Sequence, residues 1–195
     1  ADDASQISER MQMCRVMDES LEDEACSSLQ RIMGSPDHAL RTPHSILDFM
    51  RNHDWSARVT ALCLQILQQV VEKPGGSNDL FSNGMHQQVI HYCQIFSNNE
   101  DVCREACRFL ISAADSLWHQ QLLVDAGACQ VLFNTLSVGR HDETIVFHAL
   151  KGLEILLSAK GFFEKCMDNV GLVTEVVALH QTHESIQVLG SSILF

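Results

Sequence analysis

Residues 123–127 read Leu-Val-Asp-Ala-Gly, and related stretches lie at nearly equal distances on either side. These are residues 79–84, Asp-Leu-Phe-Ser-Asn-Gly, and residues 167–171, Met-Asp-Asn-Val-Gly. Their final glycines, Gly84, Gly127 and Gly171, are 43 and 44 residues apart. A period of about 40 to 47 residues with helical patterning inside each unit is typical of helical solenoids. The period therefore predicts an all-α fold built from stacked repeats.

The composition agrees with a helical chain. Of 195 residues, 46% are apolar but only 6% are aromatic, which favours helices packed by Leu, Ile, Val, Ala, Cys and Met. The formal net charge of −12 argues against nucleic acid as a partner, because phosphate binding normally depends on clustered Lys and Arg. No apolar stretch approaches the roughly 20 residues that span a bilayer, so we expect no membrane span.

The eight cysteines favour a reducing compartment. The chain has no signal-like apolar segment and no Asn-x-Ser/Thr acceptor, so a disulfide framework is not expected. Most cysteines lie inside apolar helical runs, where a free thiol packs as a small hydrophobe. We therefore predict free thiols and a cytoplasmic protein.

Three repeats follow from the period, at residues 45–97, 98–140 and 141–183. Each is predicted to contain a long, a short and a third helix, because apolar residues recur at steps of three and four and Gly or Pro interrupts them. The long helices are predicted at 57–71, from about 100 to 113, and at 144–157, and the short ones at 79–82, 117–124 and 162–168. Two of the third helices are predicted at 86–96 and 172–179, and the other carries Val131, Leu132, Phe133 and Leu136 and ends at Gly139.

The pattern weakens toward the N-terminus. Residues 1–44 are predicted to form an acidic helical cap or degenerate repeat, with helices at 5–17 and 22–33. Their surface is interpreted either as a solvated acidic face or as a docking surface for a basic partner. Residues 184–195 read as the start of a further helix. Because an isolated array needs polar caps, we expect the chain to be part of a longer protein.

The run from Leu122 to Leu132, preceded by residues 105–110, resembles the armadillo repeat family. That family's repeat has a short helix ending in Ala-Gly, here Ala126 and Gly127, then a helix of paired aliphatics and a long helix built around an alanine. The resemblance covers about 45–195, and HEAT repeats are the alternative. It implies a right-handed α-solenoid of armadillo-like three-helix repeats, whose long helices line a concave groove that holds an extended or helical partner segment.

Nuclear-import adaptors of this family carry a Trp and, four residues on, an Asn on the long helix. With Ala61, Ala106 and Ala149 as the repeat alanines, the Trp positions hold Cys63, Arg108 and Lys151. The Asn positions hold Leu67, Ser112 and Ile155. Since the signature is absent, the resemblance does not extend to the import-adaptor subtype, and recognition of basic nuclear-localisation peptides is not expected.

Arg108 and Lys151 occupy equivalent positions, and Arg104 lies one turn before Arg108. If these positions face the groove, they form a basic ladder that resembles the catenin-like use of groove cations to hold acidic ligands. The alternative is that they are ordinary solvated helix residues. The predicted partner is therefore a protein or peptide, acidic or amphipathic. The candidate groove residues are Arg104, Arg108, Ser112, Lys151, Ile155 and Cys63.

Catalysis has no support in the sequence. No nucleophile elbow, phosphate-binding glycine loop or His-Glu-x-x-His run occurs, and we predict no enzyme, cofactor or metal site. The pairs Cys103/Cys107 and His180/His183 could each offer two metal ligands, but neither has a second pair nearby, so core or capping roles are favoured. Trp55 and Trp118 are predicted to pack at repeat junctions.

Two other functions stay open at this stage. The chain could be a structural segment that self-associates through its ends, using Ile193, Leu194 and Phe195 or the acidic N-terminal helix. It could also be the regulatory region of an attached enzyme. The leading hypothesis is a protein-binding scaffold.

Overall fold

The computed structural model describes the backbone of residues 2–34 and 42–194, and the side chains of residues 18–34 and 42–194. Within these ranges all regular secondary structure is helical. The helices are α1 Asp2–Gly34, α2 Pro43–Asn52, α3 Ala57–Val71, α4 Gly76–Ser82, α5 Met85–Ile95, α6 Glu100–Ala113, α7 Leu117–Ala126, α8 Ala128–Val138, α9 Glu143–Leu156, α10 Phe162–Cys166, α11 Val170–Leu179 and α12 Glu184–Leu194, with a 3₁₀ turn at Met167–Asn169. The predicted all-α fold class is confirmed at this level.

Polar caps fix the starts of three long helices. Ser56, Asn99 and Asp142 precede α3, α6 and α9, and each side chain accepts a hydrogen bond from a backbone N–H in the first turn. The distances are 3.1 Å from Val59 N to Ser56 Oγ and 3.0 Å from Val102 N to Asn99 Oδ1. Such caps satisfy N–H groups that the helix leaves unpaired. The three caps lie at a constant spacing of 43 residues, so the period is built into the helix starts.

The long helices contact one another in chain order: α1 packs on α3, α3 on α6, α6 on α9, and α9 on α12. The helices α2, α5, α8 and α11 form a second series of contacts, also in chain order, and α8 packs against both α6 and α9. Buried apolar side chains from α1 through α12 form one continuous core, with Phe109 and Phe162 among its largest fully buried members. The long helices α3, α6 and α9 also carry partly exposed side chains, among them Gln65, Arg108 and Lys151.

Helix α1 corrects one prediction. The sequence indicated two helices, at 5–17 and 22–33, but the backbone forms one helix over Asp2–Gly34. The residues between the two predicted helices, Asp18 to Leu21, include no Gly or Pro, and a helix interior accepts them at little cost. The side chains of 1–17, residues 35–41 and Phe195 lie outside the described parts, so the predicted role of Phe195 in self-association is not addressed.

Two of the three periodic glycines perform the same backbone task. Gly84 joins α4 to α5 with φ of 67°, and Gly127 joins α7 to α8 with φ of 97°. Both φ values lie in the left-handed region, which residues other than glycine rarely adopt. Gly171, in contrast, lies inside α11, and the 3₁₀ turn leads directly into that helix. The third unit therefore enters α11 without a left-handed glycine, and its left-handed glycine is Gly161, with φ of 78°, before α10.

Candidate partner-binding surface

The constant spacing of the caps defines equivalent positions on successive long helices. Counted by 43 residues, Gln65 of α3, Arg108 of α6 and Lys151 of α9 are equivalent, and so are Arg104 and Phe147. All five side chains are partly exposed. We call the surface made by these five residues the long-helix face. It is the surface on which the sequence placed the candidate groove.

Cys63 is a correction to that prediction. Cys63 is fully buried, and burial raises the pKa of its thiol well above the ordinary value. The cap spacing makes Cys63 the equivalent of Ala106 and Ala149, which are also fully buried. The prediction that Ala61 is the repeat alanine is therefore two residues out of register on α3. The position that it missed is Gln65.

A pocket of about 280 Å³ opens on this surface between α1, α3 and α6. We call it the α3–α6 pocket. Its lining residues are Gln30, Arg58, Ala61, Leu62, Gln65, Asn99, Asp101, Arg104 and Glu105. Charged and amide side chains therefore dominate its wall, and two short or apolar residues from α3 complete it.

Both arginines of the pocket wall are held by carboxylates. Arg58 Nη1 lies 2.8 Å from Asp23 Oδ1 and 3.6 Å from Glu22 Oε2, which ties α3 to α1. Arg104 Nη1 lies 2.8 Å from Asp101 Oδ1, and its Nη2 lies 4.0 Å from Asp142 Oδ2 at the start of α9. Their positive charges are already compensated within the chain.

The other cations of the predicted ladder are paired as well. Lys151 Nζ donates to Glu154 Oε2 at 2.6 Å, and Arg108 Nη1 lies 3.5 Å from Glu105 Oε1. In each case the acid is three residues away on the same helix, where the two side chains lie on one face. An acidic partner would therefore have to displace these internal carboxylates before it could use the ladder.

Ser112 and Ile155 connect the surface to the helices below it. Ser112 Oγ donates a hydrogen bond of 3.0 Å to Glu72 Oε1, just beyond the end of α3. Ile155 is partly buried and packs against the apolar core. Both residues are partly exposed, so part of each side chain is already occupied within the chain and the rest could contact a partner.

Glu105 is a nearly buried acidic side chain of α6 that the sequence patterns did not indicate as a candidate site residue. It is 6% exposed, and its Oε2 has no hydrogen-bond partner among the described residues. Leaving a buried polar atom unpaired costs about 1–3 kcal/mol, and more when the group is charged. The spacing of three residues to Arg108 could have indicated the ion pair. Its burial could not be predicted, because it depends on how closely α3 approaches α6.

A second cluster joins α4, α5 and α7. The ring of Phe81 contacts two buried imidazoles, with centroid distances of 4.9 Å to His86 and 4.1 Å to His119. His119 Nδ1 is hydrogen-bonded to Asp115, and burial, with a smaller contribution from His119, lowers the pKa of His86. Neither His86 Nδ1 nor His119 Nε2 has a hydrogen-bond partner within the described part of the chain.

Cysteine and histidine side chains that the sequence offered as possible metal ligands are buried or contact backbone carbonyls. Cys103 and Cys107 are buried, and Cys103 Sγ lies 3.2 Å from the Ser97 carbonyl oxygen. His180 Nε2 lies 2.7 Å from the Arg140 carbonyl oxygen, a carbonyl contact of the kind predicted but in the loop before α9. Trp55 and Trp118 are both about half exposed. The ring of Trp118 nevertheless lies 6.2 Å from that of Phe81 in the preceding unit, and the ring of Trp55 lies 6.4 Å from that of His53.

Over the described ranges, no three or more His, Cys, Asp or Glu side chains are grouped as metal ligands would be. The seven cysteines with described side chains are buried free thiols. None of the helices in these ranges combines the length and apolar character needed to cross a membrane. Comparisons with protein-family models, with curated proteins and with solved structures found no match to this chain.

Proposed function

We propose that this chain is a right-handed α-solenoid of armadillo-like repeats and serves as a protein–protein interaction module. The partner segment lies across the long-helix face, in contact with α3, α6 and α9. The observation that carries the proposal is the recurrence of partly exposed polar side chains at equivalent positions, Gln65, Arg108 and Lys151, on helices that contact in chain order. Repetition of this kind gives an extended surface for an extended ligand.

The ion pairs favour a partner that carries both polar and charged side chains over a purely acidic one. Arg104, Arg108 and Lys151 each have a carboxylate partner inside the chain. The pairs of Arg104 and Lys151 are partly exposed, and exposed pairs are worth about 0–1 kcal/mol, so a ligand could exchange with them, but the net gain would be small. Contacts made along several helices would then supply most of the affinity.

The test is to pan the chain against a displayed library of random peptides and to map the peptides that are enriched. The double variant Gln65→Ala with Lys151→Ala alters the long-helix face on both sides of α6. We expect it to lower the affinity for the enriched peptides by about tenfold or more. A tenfold loss corresponds to about 1.4 kcal/mol of binding free energy. The helical circular dichroism spectrum should not change.

The matched control is the double variant Gln130→Ala with Arg140→Ala, which likewise removes one glutamine and one basic side chain, here from exposed positions on α8 and the loop after it. It should leave the affinity within twofold. Binding that survives the first double variant, or that is lost equally in the control, contradicts the proposed surface.

A further inference from the structure

Within the α3–α6 pocket, Glu105 is the group whose bonding is incomplete. Its Oε1 has only the 3.5 Å contact with Arg108, and its Oε2 accepts no hydrogen bond from any described residue. Rotation about the terminal bond exchanges the two oxygens, so either can turn toward the pocket that Glu105 lines. A carboxylate with free acceptor capacity in a nearly buried position suits a cationic hydrogen-bond donor.

The charges around the pocket also favour a cation. Three arginines, Arg58, Arg104 and Arg108, lie within ion-pair distance of five carboxylates. Those carboxylates belong to Glu22, Asp23, Asp101, Glu105 and Asp142. Because acids outnumber bases by two in this local network, a ligand bearing one positive charge reduces the imbalance, whereas an anionic ligand increases it.

Two amide side chains can complete the coordination of such a ligand. Gln30 and Gln65 line the same pocket, and neither forms a hydrogen bond with the described residues. Each amide has a carbonyl oxygen that can accept from an ammonium or guanidinium group. The pocket volume of about 280 Å³ is at the lower limit of small-molecule sites, which suits one long side chain better than a complete ligand.

We infer that the α3–α6 pocket binds the side chain of an arginine or lysine from the partner segment, with Glu105 as the acceptor for its charged head. This inference rests on the proposed function for the source of the side chain, but the pocket chemistry can be tested by itself. It changes the expected partner from an acidic segment to one that contains at least one basic residue.

The experiment uses the ¹⁵N-labelled chain of 195 residues and three small probes at millimolar concentrations. They are the N-acetyl N-methylamides of arginine, of citrulline, which is the neutral isostere of arginine, and of aspartate. We expect the arginine probe to shift the backbone amide signals of Gln65 and Glu105 in a saturable way. Citrulline should bind about tenfold more weakly, because its neutral urea group cannot form the charge-assisted hydrogen bond that a guanidinium group makes with a carboxylate.

Glu105→Gln should abolish the saturable shift, since it keeps the shape of the side chain and removes its charge. Glu154→Gln is the matched control, because Glu154 pairs with Lys151 and does not line the pocket. Spectra of the variants away from the substitution should coincide with those of the unmodified chain, which shows that the fold is kept. Equal binding of citrulline, unchanged binding by Glu105→Gln, or shifts of these signals by the aspartate probe would each overturn the inference.

Failure of the pocket and failure of the proposed function have different signatures. If the Gln65→Ala, Lys151→Ala variant loses affinity for the enriched peptides but Glu105→Gln binds them unchanged, the interaction surface is supported and the pocket assignment is wrong. If the arginine probe binds as described but no peptide is enriched, the pocket stands and the proposed function falls.

Discussion

Glu105 has an incompletely paired carboxylate in a nearly buried position, and this should have a measurable effect on stability. We predict that Glu105→Gln raises the free energy of unfolding by about 1 kcal/mol. Removing the charge relieves part of the cost of burying an incompletely paired carboxylate, which is at least about 1–3 kcal/mol. The ion pair with half-exposed Arg108 is lost at the same time, but it contributes only about 0–1 kcal/mol. Urea denaturation followed by circular dichroism measures the difference.

Glu154→Gln serves as the reference for this measurement. It removes the acid of an exposed pair on α9, so its effect should stay within about 0.5 kcal/mol. A loss of stability in Glu105→Gln that exceeds the loss in Glu154→Gln would mean that the carboxylate stabilises the fold. A gain in stability together with a loss of cation binding would identify Glu105 as a residue kept for binding and not for folding.

At the residue scale, the sequence predicted which cations lie on the long helices but not how they are used. The i, i+3 spacing of Asp101 to Arg104, Glu105 to Arg108 and Lys151 to Glu154 was available as a signal for internal pairing. The contacts that tie helices together, such as Arg58 to Asp23, depend on the placement of α1 against α3. No local pattern encodes that distance, so the pocket could not be foreseen.

At the scale of elements, helix positions were predicted well wherever the signal is local. Residues 57–71 were predicted as a helix and are α3, and the starts of α6 and α9 agree within one residue of their predicted positions. Polar caps and apolar periodicity specify such helices within a few neighbouring residues. The register of α3 relative to α6 and α9 was harder to predict, because Ala61 and Cys63 are both small. Only the spacing of the caps shows that Cys63 is the residue equivalent to Ala106 and Ala149.

The periodic glycines offer a test of the element boundaries. Gly127→Ala should lower the free energy of unfolding by about 1 kcal/mol or more, because an alanine is strained at φ of 97°. Gly171→Ala should raise it by up to about 1 kcal/mol, since this glycine lies inside α11 and an added Cβ would meet no atom within 4 Å. Thermal unfolding of the two variants should therefore shift in opposite directions.

Two results would contradict that account. A stabilising Gly127→Ala would mean that the junction of α7 and α8 tolerates a right-handed geometry. A destabilising Gly171→Ala would mean that α11 does not run through this residue as a regular helix.

At the scale of the whole molecule, one continuous core is made from contacts between elements that are near in the chain. If the chain is a solenoid, as proposed, its stability is the sum of local units and their interfaces, and damage should spread only to neighbours. Ile186 is fully buried in α12, so Ile186→Ala should accelerate amide hydrogen exchange in α11 and α12. The amides of α3 should exchange as slowly as before.

Phe109→Ala provides the central comparison, because α6 contacts α3, α8 and α9 and Phe109 is fully buried. Removing the ring costs about 3–5 kcal/mol and should reduce protection on both sides of α6. The two variants thus separate a linear array from a single cooperative globule. In a globule, the loss at Ile186 would lower protection to a similar extent in α3, α6 and α12, and the solenoid proposal would be wrong.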